Sequence, residues 1–376
     1  MRLIQEYLPD PRNIEIDRVF VTADPITTWQ AARHFDGATI PWVRLLFDIR
    51  DLPNRLAGKP APMDKRIGVD QIKENDKGFH VLAERKGCEV VIGAIGQFWH
   101  LEIPFKDVPN DRFSLFKEPG WGKLSWAIRV EPFRNGSTVA FELRTTATDD
   151  ESWKKLERYY ALIGIGSKPI RRSVMHHLEA QLGRLDVERS TLPGDEILPD
   201  AHYSLDHSTV MEAPQKTVWR YLMQLGCDRG GWYSYDRLDH AGVPSTPELV
   251  PEWSDRKVGE RIPASPSGDD FFQIHALEEE RLLVIGGTAE RLGGKFPMTW
   301  SYVLEPVGED ACILFTRVRF KGEPVLTEWF FGNVVYPSVH GFMQREQLRN
   351  IKRLAEAHAI SCRNALVDQL ETIQLP

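Results

Sequence analysis

Two side chains in the second half of the chain are of types that move protons. His275 closes the run Phe271-Phe272-Gln273-Ile274-His275, where strand alternation places it on one face with Phe271 and Gln273. An imidazole there could serve as general acid or base, because its ordinary pKa lies close to neutral; a structural histidine fits the same position. Asp236 follows Trp232, Tyr233 and Tyr235 in Gly230-Gly231-Trp232-Tyr233-Ser234-Tyr235-Asp236, with Arg237 next. Aromatic walls with a few polar groups suit a hydrophobic ligand with one polar end, and the same cluster also suits core packing and helix capping. Arg317 and Arg319 alternate on a later strand and so share a face. Facing a cavity, the pair would bind a carboxylate, phenolate or enolate; facing outward, they are surface charges.

Other chemistries lack their residues. Asp239-His240 and His176-His177 are the best local metal candidates, but neither stands near a second histidine at ligand spacing, so no metal is expected. Gly93-Ala94-Ile95-Gly96 and Gly286-Gly287 lack phosphate-loop spacing and read as places where a sheet bends or another backbone comes close. There is no Gly-x-Ser-x-Gly elbow, and no cofactor is expected. Cys88, Cys227, Cys312 and Cys362 are scattered, which suggests reduced thiols and a cytoplasmic location. With 47 basic and 54 acidic residues, the charge of −7 does not favour a nucleic-acid partner. No run of apolar residues is long enough for a transmembrane helix.

These residues must be held by elements, and the elements repeat. At 376 residues the chain is long enough for two cores. Ile16 to Pro25, leading to Trp29, and Ser208 to Pro214, leading to Trp219, each predict a strand, a proline corner and a helix. Trp126 to Pro132 parallels Trp300 to Pro306, each a strand expected to end at its Glu-Pro and to turn back into a strand holding Phe141 or Phe315. Val90-Val91-Ile92-Gly93 pairs with Leu283-Val284-Ile285-Gly286. Ile92 stands 34 residues before Trp126 but Ile285 only 15 before Trp300, so the first copy carries an insertion, placed at 97–120. Each copy closes on a helical pattern: Trp153 to Leu182, and Val339, Phe342, Met343, Leu348, Ile351 and Leu354. The expected domains are 1–185 and 204–376, joined by a polar, proline-containing linker over 186–203.

The order of strand, short helices, antiparallel strands and long last helix resembles the helix-grip fold of the START-like superfamily, which includes polyketide cyclases, Bet v 1-like proteins and SRPBCC proteins. The likeness is best from Ser204 to Glu356, where the Gly-Trp-Tyr-Ser-Tyr stretch, Val258-Gly259-Glu260 and Met343-Gln344-Arg345-Glu346-Gln347-Leu348 resemble SRPBCC segments. It implies an α+β chain of two helix-grip domains, each a curved antiparallel sheet wrapped around a long C-terminal helix with a cavity between them. The expected ligand is a small hydrophobic or aromatic molecule, lipid or polyketide-like, held mainly in the second domain. Its expected lining is Trp232, Tyr233, Tyr235, Phe271, Trp300, Tyr302, Arg317 and Arg319, with Trp126 the counterpart in the first domain. The alternatives are a metal-free cyclase or dehydratase using His275 or Asp236, and an interaction protein whose cavities have collapsed.

Overall fold

The two repeated hairpins are the centre of the architecture. In the first, β5 (Gly122–Phe133) returns as β6 (Gly136–Ala147); in the second, β11 (Gly294–Val307) returns as β12 (Ala311–Phe320). Both strands run past the proline expected to end them, to Phe133 and Val307. The reason lies in the neighbours. β5 pairs with β3 only as far as Arg129, and β11 with β10 only as far as Val303, so Pro132 and Pro306 sit where one flank has no ladder to break.

The computed structural model describes residues 2–41, 68–72, 78–100, 102–291 and 294–373. The chain divides into two compact units, Met1–Val187 and Glu188–Pro376. In the first, the antiparallel order is β1 (Asn13–Val21), β6, β5, β3 (Glu89–Gly96), β2 (His80–Arg85), with the short β4 (Phe105–Lys106) against β3. In the second it is β7 (Tyr203–Met211), β12, β11, β10 (Leu282–Arg291), β9 (Phe271–Glu278), β8 (Arg261–Pro263). Each unit ends in a long helix, Asp150–Leu182 or Gly341–Ile373.

In the first unit, alternation sends Val90, Ile92, Val130 and Val139 to the face that meets Trp29 of helix Pro25–Arg33 and Met175 and Leu178 of the long helix. Asp24 caps the short helix, accepting from the amides of Ile26 and Thr27. The inserted segment supplies β4 and brings Phe98, Ile103 and Phe105 against Ala94, Leu124, Leu156 and Trp153, so this stretch of the inner face is filled by side chains. The opposite face carries a buried charge cluster beneath helix Leu3–Tyr7. There Glu142 meets Arg2 at 2.9 Å, Arg144 at 2.7 Å and Arg129 at 3.5 Å.

In the second unit the even-numbered side chains of β11 and β12 (Trp300, Tyr302, Leu304; Leu314, Val318, Phe320) form the core with Trp219, Leu348, Ile351 and Ala355. The odd-numbered ones face the other way. On that outer face lies the stretch expected as a linker. Arg317 binds Asp195 at 2.7 Å and the carbonyls of Arg189 and Ser190, and Ser301 donates to the Pro193 carbonyl at 2.7 Å. The residues from Arg189 to Asp195 are therefore packed as part of the second unit.

Candidate functional site

The inner face of the second sheet is not filled along its whole length. Between β9, β10, β11 and the start of the last helix lies a cavity of about 580 Å³. Its walls follow from strand alternation: Met298 and Trp300 from β11, Phe272 from β9, Gly287 and Ala289 from β10. Gly287 is glycine for a reason of space, since a Cβ there would lie 2.8 Å from the carbonyl oxygen of Phe271. Helix Gly341–Ile373 contributes Met343, Gln344 and Gln347, one stripe at helical spacing, and His340 precedes it.

The remaining wall comes from the Gly-Trp-Tyr-Ser segment. Gly226 and Gly231 exchange backbone hydrogen bonds, and Gly231 takes φ +86°, which turns Trp232 inward. The Ser234 hydroxyl donates to the Met343 carbonyl at 3.0 Å, and the Asn350 amide to the Tyr233 carbonyl at 3.1 Å, pinning this loop to the last helix. The Trp232 and Trp300 rings lie parallel within 7°, centroids 5.7 Å apart, and Phe272 meets both edge-on. At the mouth, Leu238, Val339 and Phe271 are exposed apolar side chains, with Arg237 beside them on the surface.

The polar groups inside are few. Gln347 donates to the Trp232 carbonyl at 2.9 Å and accepts from the Tyr302 hydroxyl at 3.1 Å and from Gln344 at 2.8 Å. Asp239, in the short helix Asp236–Asp239, lines the cavity with both carboxyl oxygens out of solvent and without a hydrogen bond from another residue. Burial, with the like charge of Asp236 and against His240, pushes its pKa up to about 6. Burial likewise depresses His340 to about 4, with His207 adding to the shift, so its ring is neutral at pH 7.

Of the side chains expected from sequence, Trp232, Trp300 and Phe271 line the cavity. Tyr302 stands behind them, its ring 5.1 Å from Trp300 and its hydroxyl on Gln347. Tyr233 turns away, edge-on to Tyr221 and hydrogen-bonded to Gln224 at 2.9 Å. Tyr235 stacks on Phe342 at 4.4 Å rather than entering the cavity. Trp126 lies in the first unit, stacked on Phe141 at 5.4 Å against the core.

Arg317 and Arg319 share a face as alternation requires, but it is the outer one. Arg317 is held by Asp206 and Asp195, and Arg319 donates to the Asp195 carbonyl at 2.8 Å. His275 also faces outward, in a separate groove of about 430 Å³ with Gln273 and Thr299. The Asp236 carboxylate accepts from the Ser245 hydroxyl at 2.6 Å and its amide at 3.1 Å, which pins the loop. Sequence reasoning weighed Asp239 only as a metal ligand and passed over Gln344 and Gln347 as cavity residues. A signal existed for the glutamines, because they fall on the apolar stripe of Met343, Leu348 and Ile351, where a polar side chain needs a reason.

Among the described residues no group of three or more His, Cys, Asp or Glu stands ready to hold a metal ion, and no helix is long and apolar enough to cross a membrane. An antiparallel sheet closed over a long C-terminal helix, present in each unit, is a helix-grip fold. No family model matches the sequence, and no curated protein does. Solved structures of similar layout include the di-domain ARO/CYC BexL from the BE-7585A biosynthetic pathway, 12% identical over 92% of this chain and 98% of that one, TM-score 0.25. DynU16, from the dynemicin biosynthetic locus, is 12% identical over 94% of this chain and 98% of its own, TM-score 0.21. A norcoclaurine synthase point mutant from Thalictrum is 14% identical over 41% of this chain and 94% of its own, TM-score 0.25. Superpositions this loose say nothing about ligand or reaction.

Proposed function

We propose that the second unit binds a small, largely apolar, ring-bearing molecule in the cavity beneath its last helix. The observation that carries this is a cavity of about 580 Å³ left open in an otherwise packed core, walled by the parallel Trp232 and Trp300 and by Phe272. That size falls in the range of small-molecule sites, roughly 300–1,000 Å³. Leaving it empty forgoes packing that would stabilise the unit, whereas a ligand restores those contacts. Native mass spectrometry of the freshly purified chain, followed by denaturing extraction, tests the reading. A stoichiometric bound molecule, lost in Ala289→Phe while that variant remains folded, is the expected result. A ligand retained in Ala289→Phe would place binding elsewhere and end the proposal.

One observation favours a second reading, a cyclase- or dehydratase-type enzyme. Asp239 lines the cavity and its carboxyl pKa is raised to about 6, suited to exchanging a proton near neutral pH. His275 and Asp236 do not offer this, one lying on the outer face and the other engaged with Ser245. If the enzyme reading is right, Asp239→Asn abolishes turnover of a bound substrate without abolishing its binding. Turnover unchanged in that variant would remove it.

A further inference from the structure

The hydrogen bonds in the cavity wall dictate which way two amides point, and so what they offer a ligand. The Trp232 carbonyl can only accept. The Gln347 atom 2.9 Å from it must therefore be the NH₂ group, leaving Gln347 Oε1 toward Tyr302 and Gln344. That oxygen accepts from the Tyr302 hydroxyl at 3.1 Å, so the Gln344 atom 2.8 Å away must also be an NH₂ group. Flipping either amide would set two acceptors against each other. Gln344 Oε1 is consequently locked as an acceptor. It belongs to a side chain that lines the cavity and is 2% exposed, and it has no partner.

A buried acceptor left without a donor costs about 1–3 kcal/mol, so its presence in an apolar wall calls for something to fill it. The same cavity is lined by Asp239, whose carboxyl oxygens no other residue meets, and by Trp232 and Trp300, each with a buried, unpartnered indole N–H donor. A carboxylate would meet Gln344 Oε1 and Asp239 with repulsion, and the cation at the mouth, Arg237, is on the surface. An ammonium would suit the acceptors but leave the Trp300 donor unused. An ether could accept from Trp300 and give nothing to Gln344. A hydroxyl both donates and accepts, and alone among these serves both kinds of group.

We infer that Gln344 is the specificity-determining residue of this cavity, and that the ligand it selects is an apolar ring system bearing a hydroxyl group. The inference rests on the binding reading above and adds the polarity of the ligand to it. Gln347 is the positioning residue, since it holds the Gln344 amide in the accepting orientation.

Equilibrium dialysis of the full chain against four probes on one ring system tests this: 2-naphthol, 2-methoxynaphthalene, 2-naphthoate and 2-naphthylmethylammonium. The expected result is 2-naphthol bound about tenfold or more tightly than its methyl ether, the ratio that one buried hydrogen bond supplies. Gln344→Met is expected to bring 2-naphthol down to the level of the ether while leaving the ether's Kd unchanged, which shows that the cavity is intact. Gln347→Met keeps Gln344 but removes its lock, and is expected to weaken the preference. In Asp239→Asn the preference for 2-naphthol over the ether survives. Equal binding of alcohol and ether, tightest binding of the naphthoate or the ammonium, or a preference that persists in Gln344→Met would overturn the inference and leave the binding site standing. If none of the four binds, both fall.

Discussion

Replacing Glu142 by Gln leaves the side chain's shape almost unchanged and removes one charge, which makes it a clean test of what holds the first unit together. Glu142 is 1% exposed and is shared by Arg2, Arg129 and Arg144, each 5% exposed or less. Burial would by itself raise its pKa, but the guanidiniums of Arg2, Arg144 and Arg129 hold it at about 2. A fall from 4.5 to about 2, at about 1.4 kcal/mol per unit, gives on the order of 3 kcal/mol favouring the folded state. Breaking a buried ion pair on one side independently costs about 3–5 kcal/mol, because the cations remain buried without their anion. For a unit of this size, each kcal/mol moves the melting temperature by about 2–4 °C, so Glu142→Gln should lower it by roughly 6–12 °C at pH 7. Calorimetry reads the shift, and hydrogen exchange of peptides from β5 and β6 assigns it to the first unit. The sign with pH follows from the lowered pKa. The contribution is complete above the unfolded value of 4.5 and is lost as pH falls toward about 2. The gap between wild type and Glu142→Gln should therefore narrow from pH 5 to pH 3. A shift below about 2 °C at pH 7, or a gap that ignores pH, would refute the reasoning.

Other perturbations reach other parts of the molecule. Arg317→Met removes the guanidinium that ties Asp195, Asp206 and the carbonyls of Arg189 and Ser190, so limited proteolysis should cut between 188 and 203 severalfold faster, whereas an unchanged digestion pattern would mean the segment is held elsewhere. His340, depressed to about 4 by burial and by His207, is neutral in the folded second unit. Its contribution to stability is present above its ordinary value of 6.5 and lost as pH falls through about 4, opposite in sign to that of the raised Asp239 carboxyl. Denaturant titrations of His340→Phe should accordingly lose less stability between pH 6.5 and 4 than wild type does; identical slopes would exclude a buried neutral ring. Gly136→Ala places a methyl 2.1 Å from the Val21 carbonyl oxygen, and its relief should cost about 1–3 kcal/mol in chemical unfolding.

What was legible in the sequence was whatever local pattern encodes. Period-two alternation and the paired Glu-Pro corners announced the hairpins β5–β6 and β11–β12, because pleating and proline act within a few residues. The same alternation grouped His275 with Phe271 and Gln273, and Arg317 with Arg319. Alternation states which side chains share a face and is silent on which face meets the helix. That choice is made by everything packed on both sides at once. Arg189 to Asp195 cover the outer face of the second sheet and take the arginines, while Trp219, Leu348 and Ile351 take the inner one. The cavity is likewise a tertiary result. Both units repeat one plan, but in the first the inserted Phe98 and Phe105 occupy part of the inner face, whereas in the second no side chain among the described residues fills the space before Trp300. The identity of Gln344 could be read from the sequence. Its orientation could not, because a hydrogen-bond chain through Tyr302, Gln347 and the Trp232 carbonyl sets it, and those groups meet only once the sheet has closed on the last helix.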